Sequence, residues 1–136
     1  MLIGPLKLKL QLVCGDSFAM GPGKADLLEA IDREGSIKAA GRVLGMSYRR
    51  TWLLVDEMNR CFSERLVDTL AGGGRERGAR LSAQGRTVLE AYRELEAVTA
   101  QVTGSAAYER LVAGLLDQPR PPKSGSAVSE PAPPLR

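Results

Sequence analysis

Two short motifs constrain the fold of this chain more than any other feature, Gly35-Ser36 and Gly45-Met46-Ser47. In each, a serine follows one or two residues after a glycine. Glycine adopts the left-handed conformation that ends many helices, and a serine side chain caps the first turn of a helix. The segment between the two motifs carries an apolar stripe of mostly small residues at helical spacing, Ile37, Ala40, Gly41 and Leu44. We therefore predict a short helix that packs closely on its neighbours. A three-residue turn joins it to the next helix, which is helix-turn-helix geometry.

Longer helices are predicted on both sides of this short one. The first begins after Gly21-Pro22, runs from Lys24 to Glu34, and has an apolar face of Leu27, Leu28 and Ile31. The third begins at the cap residue Ser47 and turns inward the side chains of Thr51, Leu54, Val55, Met58 and Phe62. Its opposite face is predicted to be open and carries Arg49, Leu53, Asp56 and Arg60.

Short strands are predicted before and after these helices. Residues 6–12 alternate apolar and polar side chains, which is typical of a strand with one buried face. Such a strand needs a partner, which we expect from later in the chain or from a second subunit. Residues 66–70 and 79–81 are short apolar segments on either side of a glycine-rich stretch, and this pattern predicts a hairpin, or wing.

A long helix follows Ser82, and its apolar positions step by four and three, the spacing of a packing seam. We expect this seam to pair with the same helix of a second subunit, through Val88, Tyr92, Leu95, Thr99 and Val102. Gly104-Ser105 is expected to kink the helix before a short amphipathic extension. Six of the 19 residues from Gln118 to Arg136 are proline, so we predict a disordered tail.

The composition argues against an enzyme. Histidine is absent and only Cys14 and Cys61 are cysteines, which removes Ser-His-Asp and Cys-His catalysis and the usual zinc sites. Both cysteines have apolar neighbours and are expected to be buried thiols. We expect no cofactor and no metal. Without a leader or a long apolar run, the chain is expected to be soluble, cytoplasmic and free of membrane contact.

The positive charge is local, although the net charge is only +3. Residues 36–50 hold four basic side chains and no acidic one, and the third helix starts among them. A helix N-terminus and hydroxyl groups bind phosphate, whereas guanidinium groups suit guanine O6 and N7. We interpret Arg49 as a base contact and Arg50 as a phosphate contact. Double-stranded DNA is the expected partner, bound through Ser36, Lys38, Arg42, Ser47, Tyr48, Arg49, Arg50, Leu53, Arg75 and Arg77.

These residues have different expected roles. Lys38 and Arg42 lie on the short helix away from its apolar stripe and are expected to contact the DNA backbone. Arg75 and Arg77, at the glycine-rich tip, are expected to enter the minor groove or bind phosphate. Tyr48 is either a DNA contact or a core aromatic. Trp52 borders the inward face and is interpreted as a core residue.

The segment Gly45-Met-Ser-Tyr-Arg-Arg-Thr-Trp-Leu-Leu-Val-Asp56 also carries a family resemblance. With the three glycines from Gly72, Leu81-Ser82 and Gly85-Arg86, it resembles the N-terminal domain of the ModE family of molybdate-responsive bacterial regulators, which is related to LysR-type winged helices. The resemblance covers residues 6–104. It implies a dimer that binds an inverted repeat near genes of molybdenum uptake or molybdoenzymes.

The family's sensors carry C-terminal molybdate-binding modules, whereas a proline-rich tail stands at that place here. No molybdate-site residue is therefore carried over, and the chain is expected to act constitutively, through a partner protein, or on different genes. The expected fold is mainly α with a small β-sheet, a winged helix-turn-helix with a long C-terminal dimerisation helix. Its expected divisions are a DNA-binding domain (1–104), a helical extension (105–117) and the tail (118–136).

The expected function is that of a homodimeric, sequence-specific transcription regulator. Two alternatives remain open. One is a small protein that binds molybdate or a similar oxyanion at a dimer interface. The other is a winged-helix adaptor that has lost DNA binding and uses its long helix and tail to bind other proteins.

Overall fold

The structure is a computed structural model that describes residues 1–70 and 78–123. These residues are mainly α-helical, with small antiparallel sheets and one long helix, which confirms the predicted fold class. The helices are α1 (Pro22–Glu34), α2 (Ile37–Val43), α3 (Tyr48–Cys61), α4 (Ala83–Thr99) and α5 (Ala106–Val112). The strands are β1 (Leu2–Ile3), β2 (Leu6–Lys7), β3 (Leu12–Cys14), β4 (Ser17–Met20), β5 (Val67–Thr69) and β6 (Ala79–Leu81).

The N-terminal segment forms two small hairpins, not the continuous strand predicted over residues 6–12. β2 pairs with β1, which precedes it, and β3 pairs with β4, which follows at once. Both partners are a few residues away, so little chain entropy is lost in pairing. The alternation still appears in the burial, since Leu6, Leu8 and Leu10 are partly buried and Lys7 and Lys9 are exposed.

The two predicted helix boundaries are confirmed by their capping geometry. Gly35 and Gly45 have φ angles of 78° and 72°, the left-handed conformation expected after a helix. Ser36 Oγ accepts a hydrogen bond from the Ala39 amide at 3.0 Å. Ser47 Oγ accepts one from the Arg50 amide at 3.1 Å. The turn between α2 and α3 therefore has a defined geometry at both ends.

The crossing of α2 and α3 depends on the absence of a side chain at Gly41. A Cβ atom at this position would lie 2.2 Å from Thr51 Oγ1. Thr51 is fully buried, and its hydroxyl donates to the Ser47 carbonyl at 2.7 Å. The angle between the two helices is therefore fixed by direct contact of backbone and side chain.

The hairpin of β5 and β6 is attached to the helices by hydrogen bonds. The strands are antiparallel, with Val67 opposite Leu81. Asn59 of α3 accepts from the amides of Leu66 and Val67 at 2.9 and 3.1 Å. The Ala79 amide donates to the carbonyl of Gly35, at the end of α1, at 2.8 Å. The hairpin base is thereby held against both α1 and α3.

The long helix α4 packs on α1 and leads into a short 3-10 helix, Ala100–Gly104, before α5. The predicted extension over residues 105–117 is helical only in its first part, since α5 ends at Val112. Residues 118–123 are exposed and have no regular secondary structure. The rest of the predicted tail lies outside the described residues.

One hydrophobic core joins α1, α2, α3, the β5–β6 hairpin and α4. The largest fully buried apolar side chains are Met20, Leu27, Leu28, Ile31, Met58, Leu66 and Val67. Across the part of the chain that the structure describes, no helix has the length and apolar character needed to cross a membrane.

Candidate nucleic-acid interface

The first turn of α3 presents the basic side chains that the sequence placed there. Arg49 and Arg50 are exposed, and neither guanidinium has a carboxylate partner among residues 1–70 and 78–123. Tyr48 is 56% exposed and Leu53 is 47% exposed. Tyr48 is therefore not a core aromatic. The four side chains and the free amide groups of the helix N-terminus form one open surface.

The basic side chains of α2 continue this surface. Lys38 and Arg42 are exposed, whereas Ile37 and Ala40 of the same helix are buried. Ser36 is partly buried, and its hydroxyl oxygen already caps α2. The structure thus gives Ser36 a role in holding the helix, and its contact with DNA stays a prediction.

The two arginines predicted at the hairpin tip, Arg75 and Arg77, lie outside the described residues. Their place in the DNA-binding surface stays a prediction.

Trp52 lies at the surface and is 46% exposed, so its interpretation as a core residue is wrong. It borders the buried positions Thr51 and Val55 but lines a groove of about 230 Å³ between α3 and the β5–β6 hairpin. Asn59, Arg60, Arg65 and Thr69 also line this groove. The sequence pattern missed this because it places a side chain on a helix face but does not show how closely the hairpin approaches that face.

The acidic residues of α3 are both paired with cations. Asp56 Oδ2 accepts from Arg60 Nε at 2.9 Å, and this hydrogen bond and charge raise the pKa of Arg60. Glu57 binds Lys24 of α1, which is buried and also donates to the Phe18 carbonyl. Pairing reduces the repulsion that bare carboxylates would exert on a polyanion.

Lys24 is a residue whose role the sequence analysis missed. Its position relative to Leu28 and Ile31 places it on the buried stripe of α1, and this spacing was the available signal. Its partner Glu57 is 33 residues away along the chain. A periodic pattern does not reveal so distant a pairing.

The predicted dimer seam on α4 divides into buried and exposed positions. Tyr92 is only 6% exposed, and its hydroxyl donates to the Leu10 carbonyl at 2.7 Å, within the same chain. Val88 also packs on the hydrophobic core of the chain, and Thr99 is partly buried. Leu95 and Val102 are about half exposed, at 51% and 45%, and so is Val98, which the predicted seam did not include. The exposed apolar stripe therefore runs along Leu95, Val98 and Val102.

Arg93 binds three carboxylates, two on α1 and one on its own helix, α4. Its side chain donates to Glu29 at 2.6 Å, to Asp26 at 2.7 Å and to Glu96 at 2.8 Å. Burial lowers the pKa of Arg93, but the hydrogen bonds to the three carboxylates outweigh it and raise this pKa above its ordinary value. The guanidinium stays charged and fixes the helix that carries the exposed stripe.

The cysteines are less buried than expected, since Cys14 is exposed and Cys61 only partly buried. Burial, followed by the influence of the neighbouring Cys14 thiol, raises the pKa of the Cys61 thiol. The two thiols therefore lie close together, between β3 and the end of α3. Within the described ranges, no group of three or more cysteine or carboxylate side chains is placed to hold a metal ion.

Comparison with known proteins finds relatives among molybdenum-related proteins, and no protein-family model matches the chain. The molybdenum transport protein ModE of Azotobacter vinelandii is 42% identical over 78 residues, 57% of this chain and 29% of that protein. The molybdenum-pterin-binding protein MopB of Rhodobacter capsulatus is 38% identical over 86 residues, 63% of this chain and 32% of that protein.

A third relative is the DNA-binding transcriptional dual regulator ModE of Escherichia coli K12. It is 32% identical over 87 residues, which are 64% of this chain and 32% of that protein. The chain thus spans about one third of the length of these relatives. Over more than half of its own length it is similar to ModE-type regulators.

Proposed function

We propose that this chain is a sequence-specific DNA-binding transcription regulator, which reads DNA with a winged helix-turn-helix and acts as a homodimer on an inverted repeat. The observation that carries the proposal is the exposed first turn of α3, where Arg49 and Arg50 have no carboxylate partner among the described residues. Lys38 and Arg42 extend the same surface on α2. The order α1, α2, α3, β5–β6 hairpin and α4 supports the winged helix assignment.

In this proposal α3 lies in the major groove and α2 lies across the DNA backbone. Arg49 donates two hydrogen bonds to guanine, at O6 and N7, and Leu53 contacts a thymine methyl group. Arg50, Lys38 and the N-terminal amides of α3 bind phosphate, which sets the register without reading sequence. The hairpin forms the wing, and Arg75 and Arg77, which the sequence predicts at its tip, enter the neighbouring minor groove or bind phosphate.

Dimerisation is proposed to occur through the exposed apolar stripe of Leu95, Val98 and Val102 on α4. Further exposed apolar side chains follow on and after α5: Leu111, Leu115 and Leu116. A two-fold axis through this region presents the two α3 helices about 34 Å apart, one helical turn of DNA. The name of the Azotobacter vinelandii relative, a molybdenum transport protein, supports molybdenum-related genes as the proposed targets.

The test is selection of bound duplexes from a random library, followed by anisotropy titrations over a salt series. Selection of an inverted repeat with half-sites one helical turn apart is expected. Arg49→Ala is expected to cost about 1–3 kcal/mol at one base position, whereas Lys38→Ala weakens binding to all sequences and reduces the salt slope by about one. Equal affinity of the wild type for selected and scrambled duplexes would contradict the proposal.

A second candidate function is binding of molybdate or a similar oxyanion, which the name of MopB favours. The basic surface and the helix N-termini are groups that bind anions. Equilibrium dialysis with molybdate separates the two functions. Retention of one molybdate per chain or per dimer, without any DNA selection, would replace the regulator proposal by this one.

A further inference from the structure

Arg60 lies on the same outward face of α3 as Arg49, at the opposite end of the helix. The two residues are eleven positions apart, about 16 Å along the axis at about 1.5 Å per residue. Arg60 lines both shallow concavities that flank α3, one beside Arg49 and Leu53 and the other beside Trp52. It therefore stands on the crest of the helix between them, and its side chain is 66% exposed.

The contact with Asp56 fixes one side of the Arg60 guanidinium and leaves the other available. Arg60 Nε donates to Asp56 Oδ2 at 2.9 Å. Neither terminal amino group of Arg60 makes a hydrogen bond within the described part of the chain. A bidentate contact with guanine needs two parallel N–H groups, and the two terminal nitrogens supply them.

Without a cationic partner, the Asp56 carboxylate would be unfavourable on a surface that binds DNA. A carboxylate on a face that meets DNA repels phosphate, unless it reads a cytosine amino group or is neutralised by a neighbour. Here it is bound to Arg60, one helical turn away. Holding Nε also limits the rotamers of a long side chain before binding, which reduces the entropy lost on contact.

We propose that Arg60 is a second base-reading residue of α3 and that Asp56 is the residue that positions it. This inference rests on the proposed DNA-binding function. If α3 follows the major groove, it runs obliquely to the DNA axis, and about 16 Å along the groove spans a few base pairs. Arg60 then reads a guanine at the end of the half-site away from the one that Arg49 reads.

The experiment measures Arg60→Ala on the selected operator, on its single-base variants and on random DNA. Affinity for the operator is expected to fall about 10- to 100-fold, and discrimination to disappear at one base pair, a few steps from the Arg49 position. Affinity for random DNA is expected to fall much less, only through the repulsion from the Asp56 carboxylate that Arg60 no longer neutralises. The proposal is wrong if operator and random DNA lose affinity equally and the salt slope falls by about one, because that marks a phosphate contact.

The role of Asp56 is tested with Asp56→Asn in the wild type and in Arg60→Ala. The substitution is expected to weaken discrimination at the base pair that Arg60 reads. Once Arg60 is removed, Asp56→Asn is expected to have no further effect on that discrimination. Loss of discrimination by Asp56→Asn in the Arg60→Ala background would mean that Asp56 reads a base itself, which overturns its positioning role.

Arg33→Ala is the matched control. Arg33 is also an exposed arginine paired with a carboxylate, Glu34 at 3.1 Å, but it lies at the end of α1. It is expected to leave affinity and discrimination unchanged. If the wild type selects no duplex, the proposed function and this inference both fail. If the wild type selects an operator that Arg60→Ala binds equally well, only the inference fails.

Discussion

Gly41 and Thr51 meet at the crossing of α2 and α3 with no room for another atom. A methyl group on Gly41 would lie 2.2 Å from Thr51 Oγ1 and 3.1 Å from Thr51 Cβ. Because Thr51 is fully buried and bonded to Ser47, it has no free space to move into. The helices α2 and α3 are therefore held at one spacing.

Gly41→Ala is expected to destabilise the protein by about 1–3 kcal/mol, although alanine favours helices by about 1 kcal/mol over glycine. The reason is overpacking at the crossing. The measurement is the free energy of unfolding in urea. Gly23→Ala in α1 is the matched control, since a Cβ there meets nothing within 4 Å. It is expected to be neutral or slightly stabilising, and equal effects of the two variants would contradict the steric explanation.

Arg93→Ala is expected to destabilise the fold by about 2 kcal/mol, because it leaves the mostly buried carboxylate of Glu96 without the only cation that the described residues offer it. Asp26 and Glu29 lose their link to α4 at the same time. Urea unfolding measures the effect.

Arg86→Ala provides the comparison for Arg93→Ala. Arg86 joins the same two helices by binding Asp32 at 2.9 Å, but both side chains are largely exposed. Its effect is expected to be much smaller, because water screens exposed ion pairs. An Arg86→Ala variant as unstable as Arg93→Ala would show that burial of the Arg93 cluster is not what matters.

Much of the helical part of the fold could be predicted because its signals are local. The caps Ser36 and Ser47 and the glycines before them act on their own neighbours in the chain, and the structure has them as expected. The exposure of Arg49 also followed from its place on the helix.

The features that the sequence analysis missed depend on distant contacts or on a choice between partners. Trp52 sits at the edge of a helix face, and only the hairpin beyond it decides its surroundings. The spacing of Tyr92 along α4 predicts a place in the dimer seam. Its hydroxyl instead donates to the carbonyl of Leu10, 82 residues away in the same chain. A strand partner later in the chain or in a second subunit is expected for residues 6–12; β3 does pair with the later β4, but β2 pairs with the earlier β1, because the alternation pattern does not identify the neighbour.

Tyr92 predicts a pH dependence of stability. Burial raises the pKa of Tyr92, with a further contribution from the charge of Glu96. Because the folded state then binds this proton more tightly than the unfolded state, the stabilisation is complete below the ordinary tyrosine pKa of about 10. It is lost as the pH rises through the higher pKa of the folded state.

The measurement compares wild type and Tyr92→Phe in urea between pH 7 and strongly alkaline solution. The wild type is expected to be more stable by about 1 kcal/mol at neutral pH, through the hydrogen bond to Leu10. This difference should shrink above about pH 10. Groups that titrate in both proteins, such as Cys61, cancel in the comparison. A difference that stays constant or grows with pH would contradict the assignment.

The exposed stripe of Leu95, Val98 and Val102 makes the proposed dimer sensitive to Leu95→Glu. A carboxylate at the centre of an apolar interface lacks a partner, so the substitution is expected to convert the dimer to a monomer in sedimentation equilibrium.

A dimer that contacts two half-sites at once binds the inverted repeat with far higher affinity than a monomer binds one half-site. Leu95→Glu should therefore lose most of its affinity for the inverted repeat. It should bind an isolated half-site like the wild type. Ala97→Glu adds the same charge at an exposed position of α4 off the stripe and is expected to remain dimeric. A Leu95→Glu protein that stays dimeric would place the interface elsewhere on the chain.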